Sequence, residues 1–301
     1  MPPPTDQNQK DAIRFFLAAV PVILLQSLSL QLGSAVAKFN FNQISPVLVA
    51  GMRLCFAALI MLVVVRPCFR GFTGREWIFI AAFGVVIAAM NITYFTAIQY
   101  LPLSIATTFE LLGPLGIAVV LARRLLHWLA AGLALVGVCL LAIPVDQMGL
   151  AGVTLGLAAG VLRGGYILLS KYVGASTEGL SGLVAALSVG GVLVLPIVAW
   201  QDASILITQP RFLLVGLAVA VLSSVIPYCL DFLVLRRLKV ETFGVLMALS
   251  PAVAAGVGLA AFGEVLSPQA ISGILLIVAA SMMAVPLEPR RHESLEVERQ
   301  S

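Results

Sequence analysis

Charge is the scarcest component of this chain. Only 11% of its 301 residues are Asp, Glu, Lys or Arg, against 60% hydrophobic residues. A soluble domain carries about 25% charged residues, so there are too few polar groups here to cover a water-exposed surface. Histidine occurs twice, as His127 and His292, which leaves little for metal binding or acid–base catalysis. The four cysteines, Cys55, Cys68, Cys139 and Cys229, are scattered. That spacing makes neither a disulfide framework nor a zinc site, and they read as small buried hydrophobes. Neither H-E-x-x-H nor the P-loop G-x-x-x-x-G-K-[ST] occurs. We therefore expect no metal, no bound cofactor and no enzymatic chemistry. No cleavable leader is expected either, because Met1 to Asp11 is polar and the first apolar run is too long for a signal h-region.

Long apolar runs take the place of what is missing. Windows of 18 or more residues recur, each able to cross the ~30 Å hydrocarbon layer as a helix. The chain reads as an all-α polytopic membrane protein with ten spans: 15–37, 47–65, 78–98, 103–122, 126–143, 152–170, 180–199, 212–235, 243–262 and 270–286. Lysine and arginine set the expected orientation. With the N-terminus inside, fourteen fall in inner segments (Lys10, Arg14, Arg66, Arg70, Arg75, Arg123, Arg124, Lys171, Arg236, Arg237, Lys239, Arg290, Arg291, Arg299) and only Lys38 and Arg211 fall outside. Both termini are therefore expected in the cytoplasm. The same asymmetry accounts for the net charge of +4, which points to the bilayer and not to nucleic acid.

Residues 101–122 laid over 238–259 align Leu101 with Leu238 and Pro114 with Pro251, and the preceding spans place Phe95 on Phe232. After a four-residue gap Gly132 falls on Gly273. We expect a cytoplasmic segment 1–14, a five-helix repeat over 15–143, a second over 144–286, and a charged cytoplasmic tail over 287–301. Five is odd, so the second repeat enters the membrane upside down, an architecture that places a substrate site near the midplane. In the sixth span Gly152, Gly156, Gly160 and Gly164 recur every four residues, a flat ridge for close helix packing or for sliding.

Four charges lie inside the spans: Arg53, Glu110, Arg163 and Asp231. Each costs roughly 2.5–3.5 kcal/mol at the bilayer centre, so each needs a partner, water or a function. Counting from the outer ends puts Arg53, Asn91 and Glu110 level, slightly outside the midplane. A water-accessible Arg53–Glu110 pair with Asn91 beside it is the simplest arrangement. Arg163 and Asp231 lie lower, either paired as an inner layer or separately reaching the interface, Asp231 toward water or Arg236 and Arg163 by snorkelling. Gln26, Gln31, Thr93, Tyr94, Thr107 and Thr108 add donors and acceptors near the upper level. A zwitterionic amino acid needs a cation, an anion and small polar groups, which this set supplies; a purely structural ion pair at Glu110 is the competing reading. Gly113-Pro114 and Pro251 are expected to break or kink their helices beside the site.

These stretches resemble the drug/metabolite transporter superfamily, of the ten-helix EamA type, and within it the bacterial threonine/homoserine exporters. The likeness covers roughly residues 15–286. It is carried by Met52-Arg53-Leu54, Met90-Asn91 through Gln99, Leu101-Pro102-Leu103 through Pro114, Ile226-Pro227-Tyr228 through Asp231, Thr242 through Met247 to Pro251, and Phe262-Gly263-Glu264. The resemblance implies an inner-membrane efflux carrier for small neutral amino acids, using alternating access and proton antiport. It places Arg53, Asn91, Glu110, Tyr228 and Asp231 on polar positions of the exporter pattern. Ser250, Leu112 and Arg163 depart from that pattern, standing where an acid, a small polar residue and an aromatic residue are expected. A carrier for another small metabolite or drug, a membrane-embedded enzyme and a non-transporting subunit are the alternatives.

Overall fold

The computed structural model describes residues 6–121, 125–142, 145–200, 204–237, 243, 246–247, 249–265 and 267–283. Among them the regular structure is helical: α1 (Asp6–Phe39), α2 (Pro46–Val65), α3 (Gly74–Tyr100), α4 (Leu103–Leu121), α5 (Leu125–Ala142), α6 (Val145–Ser176), α7 (Ser181–Trp200), α8 (Ser204–Thr208), α9 (Arg211–Ala220), α10 (Ile226–Arg237), α11 (Ser250–Phe262) and α12 (Pro268–Met283). A π-helical stretch, Val221–Val225, runs between α9 and α10.

Local chemistry sets several boundaries. Ser45 caps α2 by accepting from the Leu48 N–H, and Pro46 follows where a missing N–H costs nothing. Thr73 and Glu76 form a reciprocal capping box at the start of α3. Gly149, with φ +65, breaks the helical path inside α6, a conformation a side chain would resist. At Pro251 the chain takes the break rather than the kink: a turn at Leu249 precedes it and Pro251 lies in the first turn of α11. Pro114 lies inside α4, as expected.

Among the described residues, six helical stretches are long and apolar enough to cross a membrane: Ala19–Phe39, Pro46–Val65, Gly74–Tyr100, Gly149–Ser176, Ser181–Trp200 and Arg211–Arg236. The other four expected spans fall on α4, α5, α11 and α12. Polarity is turned inside out relative to a soluble protein. Val64, Leu150, Val161 and Trp200 face outward, while Gln26, Gln31, Arg53, Asn91, Glu110, Arg163 and Asp231 are buried. That distribution suits a hydrocarbon solvent, where side chains facing outward need no hydrogen bonds.

The helices pack in a regular set of pairs. α2 lies along α7 and α5 along α12; α3 packs on α6 and α7; α4 packs on α6. α1 contacts α11 and runs past α9, the π-stretch and α10, while α2 also meets α9. The α6 glycines carry the α4 contact. A side-chain carbon at Gly156 would press on Phe109, one at Gly160 on the Phe109 carbonyl, and one at Gly113 on the Gly160 carbonyl and the Gly164 nitrogen. The ridge is thus a packing surface that brings two backbones together and sets Glu110 against α6.

Candidate functional site

The site is built where α2, α3, α4, α6 and α10 converge. Proline chemistry supplies its first anchor. In a regular helix the Ser223 carbonyl would accept from the N–H four residues on, but that residue is Pro227 and has no N–H. The Arg53 guanidinium from α2 donates to that carbonyl. Its Nε donates to Ser224 Oγ at 2.5 Å and its Nη2 to the Tyr228 hydroxyl at 3.3 Å. The guanidinium carbon lies 4.9 Å from the centre of the Phe95 ring and 5.6 Å from that of Tyr228, a face-on arrangement favourable to a cation.

Tyr228 links this anchor to α3. Asn91 Nδ2 donates both to the Tyr228 oxygen and to the Ile87 carbonyl, each at 2.7 Å. Both amide protons are thereby used, and Asn91 Oδ1 is buried with no hydrogen-bond donor. One turn away, Tyr94 and Gln31 meet at Thr107: the Tyr94 hydroxyl is 3.2 Å from Thr107 Oγ1, and Gln31 Nε2 donates to the same oxygen at 3.0 Å. Thr108 does not join this group. Its hydroxyl donates to the Ser104 carbonyl of its own helix at 2.8 Å.

A second anchor centres on Arg163 of α6. Nη2 donates to Asp231 Oδ2 at 2.9 Å, and Nη1 lies 4.0 Å from Glu110 Oε1. Tyr166, one turn on, donates to the same Asp231 oxygen at 3.3 Å, and its ring centre is 4.7 Å from the guanidinium. The expected Arg163–Asp231 pair is present; the interfacial alternatives are not, since both residues are buried and Arg236 donates to the Gly179 carbonyl. The expected Arg53–Glu110 pair is replaced. Glu110 has Arg163 as its ion-pair neighbour, while Arg53 spends its donors on Ser223, Ser224 and Tyr228.

The two expected layers therefore form one cluster, bridged by Arg163, beside a small cavity. Leu30, Arg53, Met90, Asn91, Tyr94, Glu110, Arg163 and Tyr228 line it. The space open to the centre of a water-sized sphere is only about 10 Å³, roughly what one water needs. Two guanidinium groups and two carboxyl groups balance formally. Gly113 and Pro114 lie just beyond Glu110 in α4 and form no part of the lining. Among the described residues no group of three or more His, Cys, Asp or Glu is placed to hold a metal.

Ser223, Ser224, Tyr166 and Phe95 join the site without having been expected there. Pro227 was the available signal for Ser223, because it frees a carbonyl four residues upstream. Tyr166 follows Arg163 by three residues, which shares a helix face.

An apolar-faced helical bundle around a small cavity lined by buried charged and polar side chains defines a polytopic membrane protein with a polar site in its interior. Residues 150–285 match the EamA-like transporter family. The threonine/homoserine exporter RhtA of Salmonella typhimurium (strain SL1344) is 34% identical over 269 residues, 87% of this chain and 89% of that one. RhtA of Escherichia coli (strain K12) is 33% identical over 271 residues, 87% and 90% respectively. The uncharacterized transporter YwfM of Bacillus subtilis (strain 168) is 27% identical over 228 residues, 73% and 76%. One solved crystal structure shares the fold, with a TM-score of 0.64 at 16% identity over 94% of this chain and 99% of that one.

The chain belongs to the EamA-like transporter family of the drug/metabolite transporter superfamily. It is a transporter and not an enzyme, and a multi-pass protein of the inner (plasma) membrane.

Proposed function

We propose that the protein exports small neutral amino acids of the threonine and homoserine type, by alternating access coupled to proton antiport. The observation that carries this reading is the charge-balanced cluster around the cavity, with guanidinium groups for a carboxylate, Glu110 for an ammonium, and the donor-less Asn91 Oδ1 for a hydroxyl. The exporters that the chain resembles over most of its length support the same substrate class.

The ten-helix, inverted-repeat reading belongs to this proposal, with segments 15–143 and 144–286 as the two halves and both termini cytoplasmic. The packing pairs support it. Under the repeat α2 corresponds to α7 and α5 to α12, and each packs on its own counterpart. Exchange of the halves likewise carries the α3–α6 contact onto the contact of α9 and α10 with α1, and the α4–α6 contact onto that of α11 with α1. No bound cofactor takes part; the proton gradient supplies the energy.

Coupling runs through the arginine shared by two acids. A proton on Glu110 removes the weaker of Arg163's two ionic partners and leaves the guanidinium to Asp231. A cavity with room for about one water must widen before an amino acid enters, so substrate arrival and helix movement go together. Gly113-Pro114, next to Glu110, is the place where α4 yields: Pro114 offers no N–H to the Glu110 carbonyl.

Purified protein in liposomes, loaded with threonine or homoserine, should accumulate the labelled amino acid by counterflow and respond to an imposed pH gradient. Counterflow of neither amino acid, with activity toward another solute in a panel of metabolites and drugs, would sink this substrate assignment.

A further inference from the structure

The Phe262-Gly263-Glu264 stretch has no part in the cavity, yet its carboxylate makes a well-connected ion pair outside it. Lys38, at the end of α1, donates to Glu264 Oε1 at 2.9 Å and to the Leu101 carbonyl at 3.0 Å. The other carboxylate oxygen, Oε2, accepts from the Leu103 N–H at 3.2 Å. The Lys38 ammonium lies 5.3 Å from the centre of the Phe262 ring, and Phe39 stacks on Phe262 with centres 4.6 Å apart. One carboxylate thus ties the end of α1 and the start of α4 to the end of α11.

The position of this tie gives it a meaning. Gln31 and Thr107 bond each other at the edge of the cavity. Seven residues farther along α1, about 10 Å at 1.5 Å per residue, stands Lys38. One turn back along α4 from Thr107, in the same direction, stands Leu103. Glu110 lies on the opposite side of Thr107. The Lys38–Glu264 tie therefore roofs the polar layer on the route from Glu110 to one face of the bundle. Both side chains keep contact with the surroundings, at 19% and 17% exposure. A pair that keeps this much contact with its surroundings is partly screened and costs less to part than a fully enclosed one, which suits a bond that must break in every cycle. A buried pair such as Arg163–Asp231 does not suit that task.

We propose that Lys38 and Glu264 form the outer latch of the transport cycle: closed as seen here, it bars the cavity from the outside, and its opening releases the solute. They position the gate and touch no substrate. The word "outer" rests on the cytoplasmic placement of both termini proposed above; the latch itself does not depend on which amino acid is carried.

The test uses the full chain with its four native cysteines replaced by alanine and one reporter, Thr107→Cys, in the roofed layer. Oriented vesicles are treated with a membrane-impermeant thiol reagent. Lys38→Met and Glu264→Gln should each speed labelling from the outer face by roughly three- to tenfold, and the exchanged pair Lys38→Glu/Glu264→Lys should return to the slow parental rate. Parental rates in both single variants, or no recovery in the exchanged pair, would overturn the latch. Acceleration confined to reagent on the inner face keeps the latch and overturns the orientation. A second measurement avoids charge loss as the only perturbation. In Lys38→Cys/Glu264→Cys, a short bifunctional thiol reagent should stop counterflow of threonine, and reduction of a cleavable bridge should restore it; unaffected counterflow in the bridged protein overturns the latch. If the parent chain carries no amino acid, the substrate reading fails while the labelling rates still decide the latch.

Discussion

A methyl group placed on Gly113 would collide with the backbone carbonyl oxygen of Gly160. Neither partner is a flexible side chain, so the two helices must separate to make room. Gly113→Ala should lower stability by about 1–3 kcal/mol, the usual cost of overpacking a close interface. Thermal unfolding of the purified protein in detergent reads this directly. A melting temperature equal to that of the parent would show that α4 and α6 are not held in backbone contact.

Arg163 and Asp231 are buried together, 2.9 Å apart. Removing only the cation strands a carboxylate in a low-dielectric interior, which typically costs about 3–5 kcal/mol. Arg163→Met should therefore destabilise strongly, and Arg163→Met/Asp231→Asn should recover most of the loss. Equal melting temperatures for the single and double variants would mean that the pair is not structurally coupled.

Pro227 offers an unusual separation of stability from activity. Pro227→Ala supplies the missing N–H and removes a helix-interior proline, a change worth up to about 3 kcal/mol in favour of the helix. The new N–H competes with Arg53 for the Ser223 carbonyl. The variant should melt no lower than the parent while transporting labelled threonine more slowly. Undiminished transport would show that the seat of Arg53 does not matter to the cycle.

Tyr228→Phe removes the oxygen that receives donors from both Arg53 and Asn91. Leaving those buried donors short should cost about 1–3 kcal/mol and weaken substrate binding, read as a raised half-saturating concentration in counterflow. An unchanged concentration dependence would place Tyr228 outside the binding set.

Glu110→Gln and Asp231→Asn separate coupling from binding. If either carboxylate carries the proton, its amide should reduce pH-driven efflux about tenfold or more while retaining exchange of one amino acid for another. Full pH-driven efflux in both variants would exclude them as the coupling groups.

Much of the molecule was legible from composition and spacing. Helix class, the membrane environment and the scarcity of buried charge follow from hydrophobic run length and the cost of ions in hydrocarbon. The levels of Arg53, Asn91 and Glu110 were also readable, because rise along a helix is constant, and Asn91, Arg53 and Glu110 do line one cavity. Direction around the helix axis was not. The depth count set Arg53 opposite Glu110, but helix rotation and packing turn Arg53 toward the π-stretch and give Glu110 to Arg163.

Thr107 and Thr108 show the same limit at neighbouring positions. Both are polar and both are buried, yet only Thr107 meets Gln31 and Tyr94, while Thr108 turns to its own helix. Adjacent helical residues point about 100° apart, so only the neighbour that arrives decides which one serves the site. Pro251 was readable as a helix breaker, but whether it kinks a helix or opens one depends on backbone it follows, and here it opens α11.

Run length and desolvation cost already specify a membrane-spanning helical bundle with four interior charges, because both are local quantities; that it is a carrier came from the family resemblance. The packing of the helices settles which charges pair, that Arg53 reaches the carbonyl Pro227 leaves free, and that Lys38 meets Glu264 across the bundle. Those contacts join residues 68, 170 and 226 positions apart, and no local rule carries the relative rotation of two helices.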